Sequence, residues 1–309
     1  MACTISPADI KRVKGMGFLN NKGTDLFNGR IITVNGKITP EQALVIAEAA
    51  KKFGTAVEFT TRMTVEVRGI HYDNIPAFQE YIAQAGLITG GTGALVRPVV
   101  SCKGTTCQYG LYDTFALSEK IHQRFYLGYH TVKLPHKFKI ACGGCPNNCV
   151  KPTLNDLGIM GQMVSTVDAD ACKGCKKCKI MAACPMGAAV VRDGKITRDP
   201  AICNNCGRCV GKCPFNAVKD GTPGYRVFLG GRWGKKIAHG QPVSKLFTSE
   251  EELLDFVENT ILFFRENGQT GERFADTINR LGFENVEKAI LSGDCLARKQ
   301  EILDTPLHL

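Results

Sequence analysis

The sequence predicts an α+β fold interrupted by a small cysteine-rich insert, and three observations lead there. Helical and strand patterns alternate from about residue 39 to residue 125. They give way to short, nearly helix-free sequence from Asp168 to Asp220, and then resume as a strand and an amphipathic helix. With 309 residues, 44% of them hydrophobic, the chain can bury one large core or two ordinary ones.

Residues 39–54 read as the first helix. Thr39 is its N-cap, Pro40 takes the first position, Ala43, Ile46, Ala47 and Ala50 share one face, and Gly54 stops it. Residues 55–70 are strand-rich and alternate around Val65 and Val67. A second helix is expected over 75–85 with Gly86 as its stop, a strand over 94–100 and a helix over 111–125. Beyond the insert, 225–229 reads as a strand, Gly230 and Gly231 as a turn, and 249–266 as a helix. Glu250, Glu251 and Glu252 fall in its first turn, where the helix dipole favours negative charge.

Thirteen of the 15 cysteines lie in four short runs; only Cys3 and Cys295 stand apart, and neither is given a role. The first thirty residues hold neither an apolar signal core nor a twin-arginine pair, and no later stretch is apolar enough to span a bilayer, so a cytoplasmic setting is expected. A reducing compartment makes clustered thiols metal ligands rather than disulfides. The formal charge of +10 counts each of them as a neutral thiol. Thiolates bound to iron and sulfide would absorb part of that excess. The basic residues form no long run and there is no zinc-finger or RNP signature, so nucleic acid is not an expected partner; a docking face for an acidic electron carrier is.

In the insert, Cys172, Cys175 and Cys178 are spaced CxxCxxC, and Cys184 follows before Pro185. Cys203, Cys206, Cys209 and Cys213 repeat the pattern before Pro214. Paired CxxC motifs also make structural zinc sites, but the third cysteine and the trailing Cys-Pro favour cubanes. Three closely spaced thiolates wrap one [4Fe-4S] cluster and the fourth reaches the other. Cys172, Cys175, Cys178 and Cys213 then hold one cluster, and Cys203, Cys206, Cys209 and Cys184 the second. The insert resembles bacterial two-cluster ferredoxins, which implies electron relay.

Cys102 and Cys107, with Cys142-Gly-Gly-Cys145-Pro-Asn-Asn-Cys149 some forty residues on, can hold a further cubane. Together with Leu134-Pro-His-Lys-Phe-Lys139, Thr60-Thr-Arg-Met-Thr64, Arg68-Gly-Ile70, Arg30 and Pro40-Glu-Gln42, this run resembles the siroheme-[4Fe-4S] sulfite and nitrite reductases, nearest to their anaerobic, dissimilatory-type class. The likeness covers most of residues 28–165 and the strand at 225–231.

The resemblance implies three domains: a ferredoxin-like half-domain over 1–97, a siroheme-[4Fe-4S] α/β domain over 98–166 and 221–309, and the inserted two-cluster ferredoxin domain over 167–220. It implies siroheme and three [4Fe-4S] clusters. Cys149 would bridge the third cluster to siroheme, with Cys102, Cys107 and Cys145 as its other ligands. Two departures from the family pattern are visible: four residues separate Cys102 from Cys107 instead of five, and Cys142 is an extra cysteine, which leaves the third ligand between Cys142 and Cys145. By position Arg30, Arg62, Arg97, Lys137 and Lys139 match the family's substrate and cofactor cations. Thr64 and Arg68 are further cofactor contacts, and His136 and Glu66 weaker candidates.

Family members with two copies of the module place siroheme between them, so a second copy or a homologous subunit is expected here. With no GxGxxG after a strand, electrons would come from a donor subunit, a ferredoxin or a flavoprotein. The implied activity is reduction of sulfite to sulfide. Nitrite reduction to ammonia uses the same cofactors, and a non-catalytic electron-transfer subunit is the alternative of another class.

Overall fold

The computed structural model describes residues 3–308. Its first layer is an antiparallel sheet of β1 (Phe18–Asn20), β2 (Leu26–Ile31), β3 (Ala56–Phe59) and β4 (Val65–His71), in the order β1-β2-β4-β3. Helices α1 (Pro7–Gly15), α2 (Pro40–Phe53) and α3 (Ile75–Ala83) accompany it. Alternation along β4 sends Val65 and Val67 into a core with Phe18, Phe27, Ile46 and Phe78, and turns Glu66 and Arg68 to the other face beside Arg30 of β2. Gly29 is required in β2 because a Cβ there would stand 2.8 Å from both Phe18 and Ile70. The expected α2 is present with its reciprocal cap: Thr39 Oγ accepts from Gln42 N, and Gln42 Oε1 accepts from Thr39 N.

The second layer is a five-stranded sheet, and its strands interleave with helices along the chain. β5 (Val100–Ser101), α4 (Thr114–Ile121), β6 (Ile140–Gly143) and β7 (Leu157–Val164) come first. The cysteine-rich segment holds α5 (Lys179–Ala183), β8 (Ala189–Arg192) and β9 (Lys195–Arg198). β10 (Thr222–Leu229), β11 (Gln241–Phe247) and α6 (Glu250–Asn267) follow, and the chain closes with α7 (Phe274–Leu281), α8 (Phe283–Leu291), α9 (Asp294–Ala297) and α10 (Lys299–Asp304). The strand order is β11-β10-β7-β6-β5, with β5, β6 and β7 parallel and the rest antiparallel. Phe138, Ile140, Leu157 and Val227 pack on Leu253, Val257, Ile261 and Phe264 of α6.

Two expectations are corrected. The strand over 94–100 shrinks to β5 and one bridge, Val96 to Phe138, because Pro98 lacks the N–H that a ladder needs. The helix over 111–125 starts later, at the Asp113 cap, and its far end opens into a π-helical turn over His122–Leu127. The insert is nearly helix-free as expected, its one α-helix being the five-residue α5.

β7 ends and β10 begins as register partners, Val164 opposite Thr222, so residues 165–221 leave and re-enter the sheet at one point. That segment has a small core of its own, Ile180, Ala189, Ile196, Ala217 and Val218, which five of its cysteines join or border.

Candidate functional site

Two loops at the ends of parallel strands bring four cysteines together. Cys102 follows β5, and Cys145 follows β6 after Gly144. The loops approach backbone to backbone: a Cβ on Gly144 would sit 2.9 Å from Gly104 Cα, and Leu111 N donates to Gly144 O at 2.9 Å. Gly144 N donates to Cys102 Sγ at 3.1 Å, which ties the second loop to the first. The Cys145 thiol is pushed up by burial and by Cys102, Cys149 and Cys107, so all four sulfurs share one neighbourhood. Cys149 is exposed, after a turn in which Asn148 takes a left-handed backbone (φ 58°). Cys142 differs: it is 0% exposed inside the main apolar core, and burial drives its thiol far above the ordinary range.

Beside these loops lies a group of cations. Lys137 and Lys139 flank the fully buried Phe138, so extended-chain alternation turns both ammonium groups away from the core. Arg97 is held opposite by its N–H on the Phe138 carbonyl. Arg62 comes from the β3–β4 turn, where Met63 is left-handed (φ 55°). There Thr60 N donates to Thr64 O, and Thr64 lies 2.7 Å from Thr60, Oγ to Oγ. Thr64 is buried and fixes this turn. Arg62 Nη2 then donates to Asn155 Oδ1 at 2.8 Å, and Asn155 Nδ2 to the Lys151 carbonyl, two residues past Cys149. Arg30 and Arg97 both donate to the Gly91 carbonyl.

These charges oppose one another. Burial, then Asp156 in the opposite sense and then Arg30 and Arg273, bring Arg62 to about 10. Burial, Arg30 and Arg62 bring Arg97 to about 10, and burial with Arg62 and Arg273 brings Lys139 to about 8. Lys137 is lowered by burial, Arg273 and Arg97, and His136 to about 4 by burial, Arg273 and Lys137.

The five cations singled out in the sequence therefore share one field. Arg30 is distinct among them, because Glu66 accepts from its Nε and Nη2 at 2.8 and 2.7 Å. Arg68 stands apart: it is exposed at the outer part of the sheet and paired with Glu58 at 3.2 Å.

Two residues that no sequence motif announces complete the site. Arg273, just before α7, donates to both oxygens of fully buried Asp156 at 2.9 and 3.0 Å, and Asp156 also accepts from Lys139 N. Burial outweighs these partners and raises the Asp156 carboxyl. Separated by more than a hundred residues, the pair leaves no local signal. The Nε atoms of Arg97 and Arg273 are buried without a partner. The arrangement holds more buried positive charge than Asp156 and Glu66 answer, which suits a polyanion.

In the cysteine-rich segment one cavity is lined by Cys184, Cys203, Cys206 and Cys209, and a second by Cys172, Cys175, Cys178 and Cys213; Ile180 and Ile196 border both. Among the described residues no three His, Cys, Asp or Glu side chains converge on a single-ion site. A cubane instead holds its thiolates at separate corners. Burial raises the Cys184 thiol, but N–H groups of Ala189, Met186, Ala188 and Gly187 outweigh it, and the net shift is downward. The first cavity abuts β7 at Met163 and Ser165. A groove joins its loop to Tyr109 and Cys145, with Arg208 stacked 5.2 Å over the Tyr109 ring.

Residues 92–294 match the nitrite and sulphite reductase 4Fe-4S domain, and residues 20–85 the nitrite/sulfite reductase ferredoxin-like half domain. The chain belongs to the nitrite and sulfite reductase family. It is 30% identical over 251 residues to a coenzyme F420-dependent sulfite reductase of Methanocaldococcus jannaschii, a match that takes in 80% of this chain but only 39% of that protein. It is 29% identical over 261 residues to one of the subunits of the anaerobic sulfite reductase of Salmonella typhimurium, covering 76% and 74% of the two chains. A crystal structure of dissimilatory sulfite reductase I superposes with a TM-score of 0.68 at 21% identity, over 86% of this chain and 69% of that one, and so shares the fold. Among the described residues no helix is long and apolar enough to cross a membrane.

Proposed function

We propose that this chain is the catalytic subunit of a siroheme-dependent sulfite reductase. The observation that carries this reading is the crowding of Arg62, Arg97, Lys137 and Lys139, each lowered first by burial and then by neighbouring cations, next to the four-cysteine loops. A relay protein needs thiolates but no such excess of buried charge. The sulfite-reductase names of the F420-dependent and anaerobic relatives support sulfite as substrate.

In this reading Cys102, Cys107, Cys145 and Cys149 would hold the siroheme-coupled cubane, and Cys149, the exposed one of the four, would be its ligand on the siroheme side. When bound, siroheme supplies the iron that takes the oxyanion and the conjugated path for electrons. The chain's own residues then have separate tasks. Arg62 and Arg97, locked by Asn155, Pro98 and Gly91, present fixed donors to carboxylates and to the oxyanion. Lys137 and Lys139, whose ammonium groups are unpaired among the described residues, can give a proton to a departing oxygen. Lys139 is best suited, since near neutral pH it is protonated yet close to releasing its proton. Arg273 and Asp156 position Lys139 through its backbone.

The ferredoxin-like insert over 167–220 would carry two further clusters in its two four-cysteine cavities. The half-domain over 1–97 and the domain over 98–166 and 221–309 would face a second copy, or a homologous subunit, across the macrocycle. The test begins with protein purified without oxygen. Its expected spectrum is that of a tetrapyrrole coupled to iron–sulfur clusters, perturbed by sulfite. Cys149→Ser and Cys145→Ser should each abolish sulfite reduction and the coupling seen by EPR, whereas Cys142→Ala should keep both. Sulfite turnover that survives Cys149→Ser, or the absence of any tetrapyrrole from the active protein, would overturn the reading.

A further inference from the structure

The two cavities of the cysteine-rich segment face different ways. That of Cys184, Cys203, Cys206 and Cys209 faces β7 and the groove to Cys145. That of Cys172, Cys175, Cys178 and Cys213 faces outward, with Cys175 exposed at the surface. Lys173, Lys177 and Lys179 stand at this outer cavity and Lys176 lies exposed beside them. From Cys172 to Lys179 four of the residues are lysine and none is acidic. Among the described residues none of these four is within ion-pair distance of a carboxylate. Two exposed apolar side chains accompany them, Phe215 in the cavity lining at 45% and Met181 on α5 at 41%.

A small apolar centre ringed by unpaired like charges is suited to brief, salt-sensitive docking. We propose that this lysine rim is the electron-entry face, and that its occupant is an acidic protein carrying a low-potential one-electron centre. The charge of the rim selects an acidic partner. Exposed Cys175 marks where the outer cluster comes nearest the surface, and Ile180 and Ile196, which border both cavities, keep the second cluster adjacent. This assignment rests on the relay reading of the insert. In each encounter the carrier's centre loses one electron and the outer cluster gains it, with no bond made and no proton moved. Six encounters, with six protons, convert one sulfite to sulfide and three waters.

The test uses the intact holoprotein with Lys173→Glu, Lys176→Glu, Lys177→Glu and Lys179→Glu combined. Binding of an oxidised acidic ferredoxin is followed calorimetrically at low salt, and sulfite turnover is measured with reduced ferredoxin and, separately, with dithionite. The expected result is loss of ferredoxin affinity by about tenfold or more with dithionite-driven turnover unchanged, and weaker binding to the wild-type protein as salt rises. Unchanged ferredoxin binding in the variant, or a wild-type protein that binds heparin but no acidic carrier, would overturn the proposal. Should the reversed set not fold, the four Lys→Gln changes repeat the comparison. Failure of dithionite to drive turnover in the wild type would count against the sulfite reductase reading, while the binding arm would still decide the docking face.

Discussion

At the scale of single residues, Lys139 is where charge and chemistry meet. Burial, Arg62 and Arg273 lower its pKa to about 8, against roughly 10.4 in an unfolded chain. Between those values the unfolded state binds more protons, so the stability of the anion-free protein rises with pH across that window. The same linkage makes anion binding the reverse. Below about 8 the ammonium is already present, and above it each anion bound must draw in a proton. Sulfate, which does not titrate there, should bind the siroheme-free protein progressively more weakly from pH 8 upward, by at most about tenfold per pH unit. Calorimetry in buffers of different ionisation enthalpy should record the proton uptake, and Lys139→Arg should remove it. A flat affinity across pH 7 to 10 would exclude this role. The sequence displays Lys139 and its four companions through short motifs, each on a strand end or turn. It cannot display Asp156 and Arg273, because their partnership exists only once the residue before α7 meets the loop that enters β7.

At the scale of elements, local signals are legible where the chain's own chemistry decides and obscure where tertiary contact does. The Thr39 cap and Gly54 stop delimit α2 as expected, and Ser249 caps α6. Asp193-Gly194, both left-handed, turns β8 into β9, a hairpin signal that the cysteine spacing overshadows. α6 also carries a feature that amphipathic pattern alone would not place: Glu258, 3% exposed in its side chain, in the middle of the helix. It is bonded by Arg124 at 2.5 Å, Lys299 at 2.6 Å and the Tyr129 hydroxyl at 2.7 Å. Burial raises its carboxyl, but Lys299, Tyr129 and Arg124 together more than offset that, and the net shift is downward. Its stabilising effect is therefore complete above the ordinary glutamate pKa and is lost as pH falls through the lowered folded value. Glu258→Ala should destabilise by about 1–3 kcal/mol, since it leaves the buried Tyr129 hydroxyl and the Lys299 ammonium without their acceptor, while Arg124 keeps Asp255. Urea midpoints at pH 7 and pH 3.5 would check this, and the gap between variant and wild type should narrow at the lower pH.

At the scale of the whole molecule, the insert behaves as a unit grafted onto a hairpin. Val164 and Thr222 face each other across β7 and β10, a separation that a two-residue turn can close. The graft is seated closely: Met163 N donates to Asn205 O at 2.7 Å, and a Cβ on Gly207 would stand 2.6 Å from Met163 Cβ. Apart from Arg208 stacked on Tyr109, these contacts concern the end of β7, whereas the core on which the cation group rests is formed by β6, β7, β10 and α6. Replacing residues 165–221 by Asn-Gly should thus leave a folded sheet with the Cys102, Cys107, Cys145 and Cys149 loops in place. On the proposed assignment of three clusters, iron content should fall from about twelve per chain to about four. Siroheme should remain, because none of the residues assigned to it lies in the removed segment. The excised protein should lose turnover driven by a protein carrier, since the groove between Tyr109 and Arg208 would no longer lead to a second cluster. It should keep a slow reaction with dithionite, which can reach the exposed cubane directly. Iron analysis, the sulfite-perturbed spectrum and the two donor assays separate these outcomes. Loss of siroheme along with the insert would mean that the relay also builds the catalytic site, and that the two are one cooperative structure.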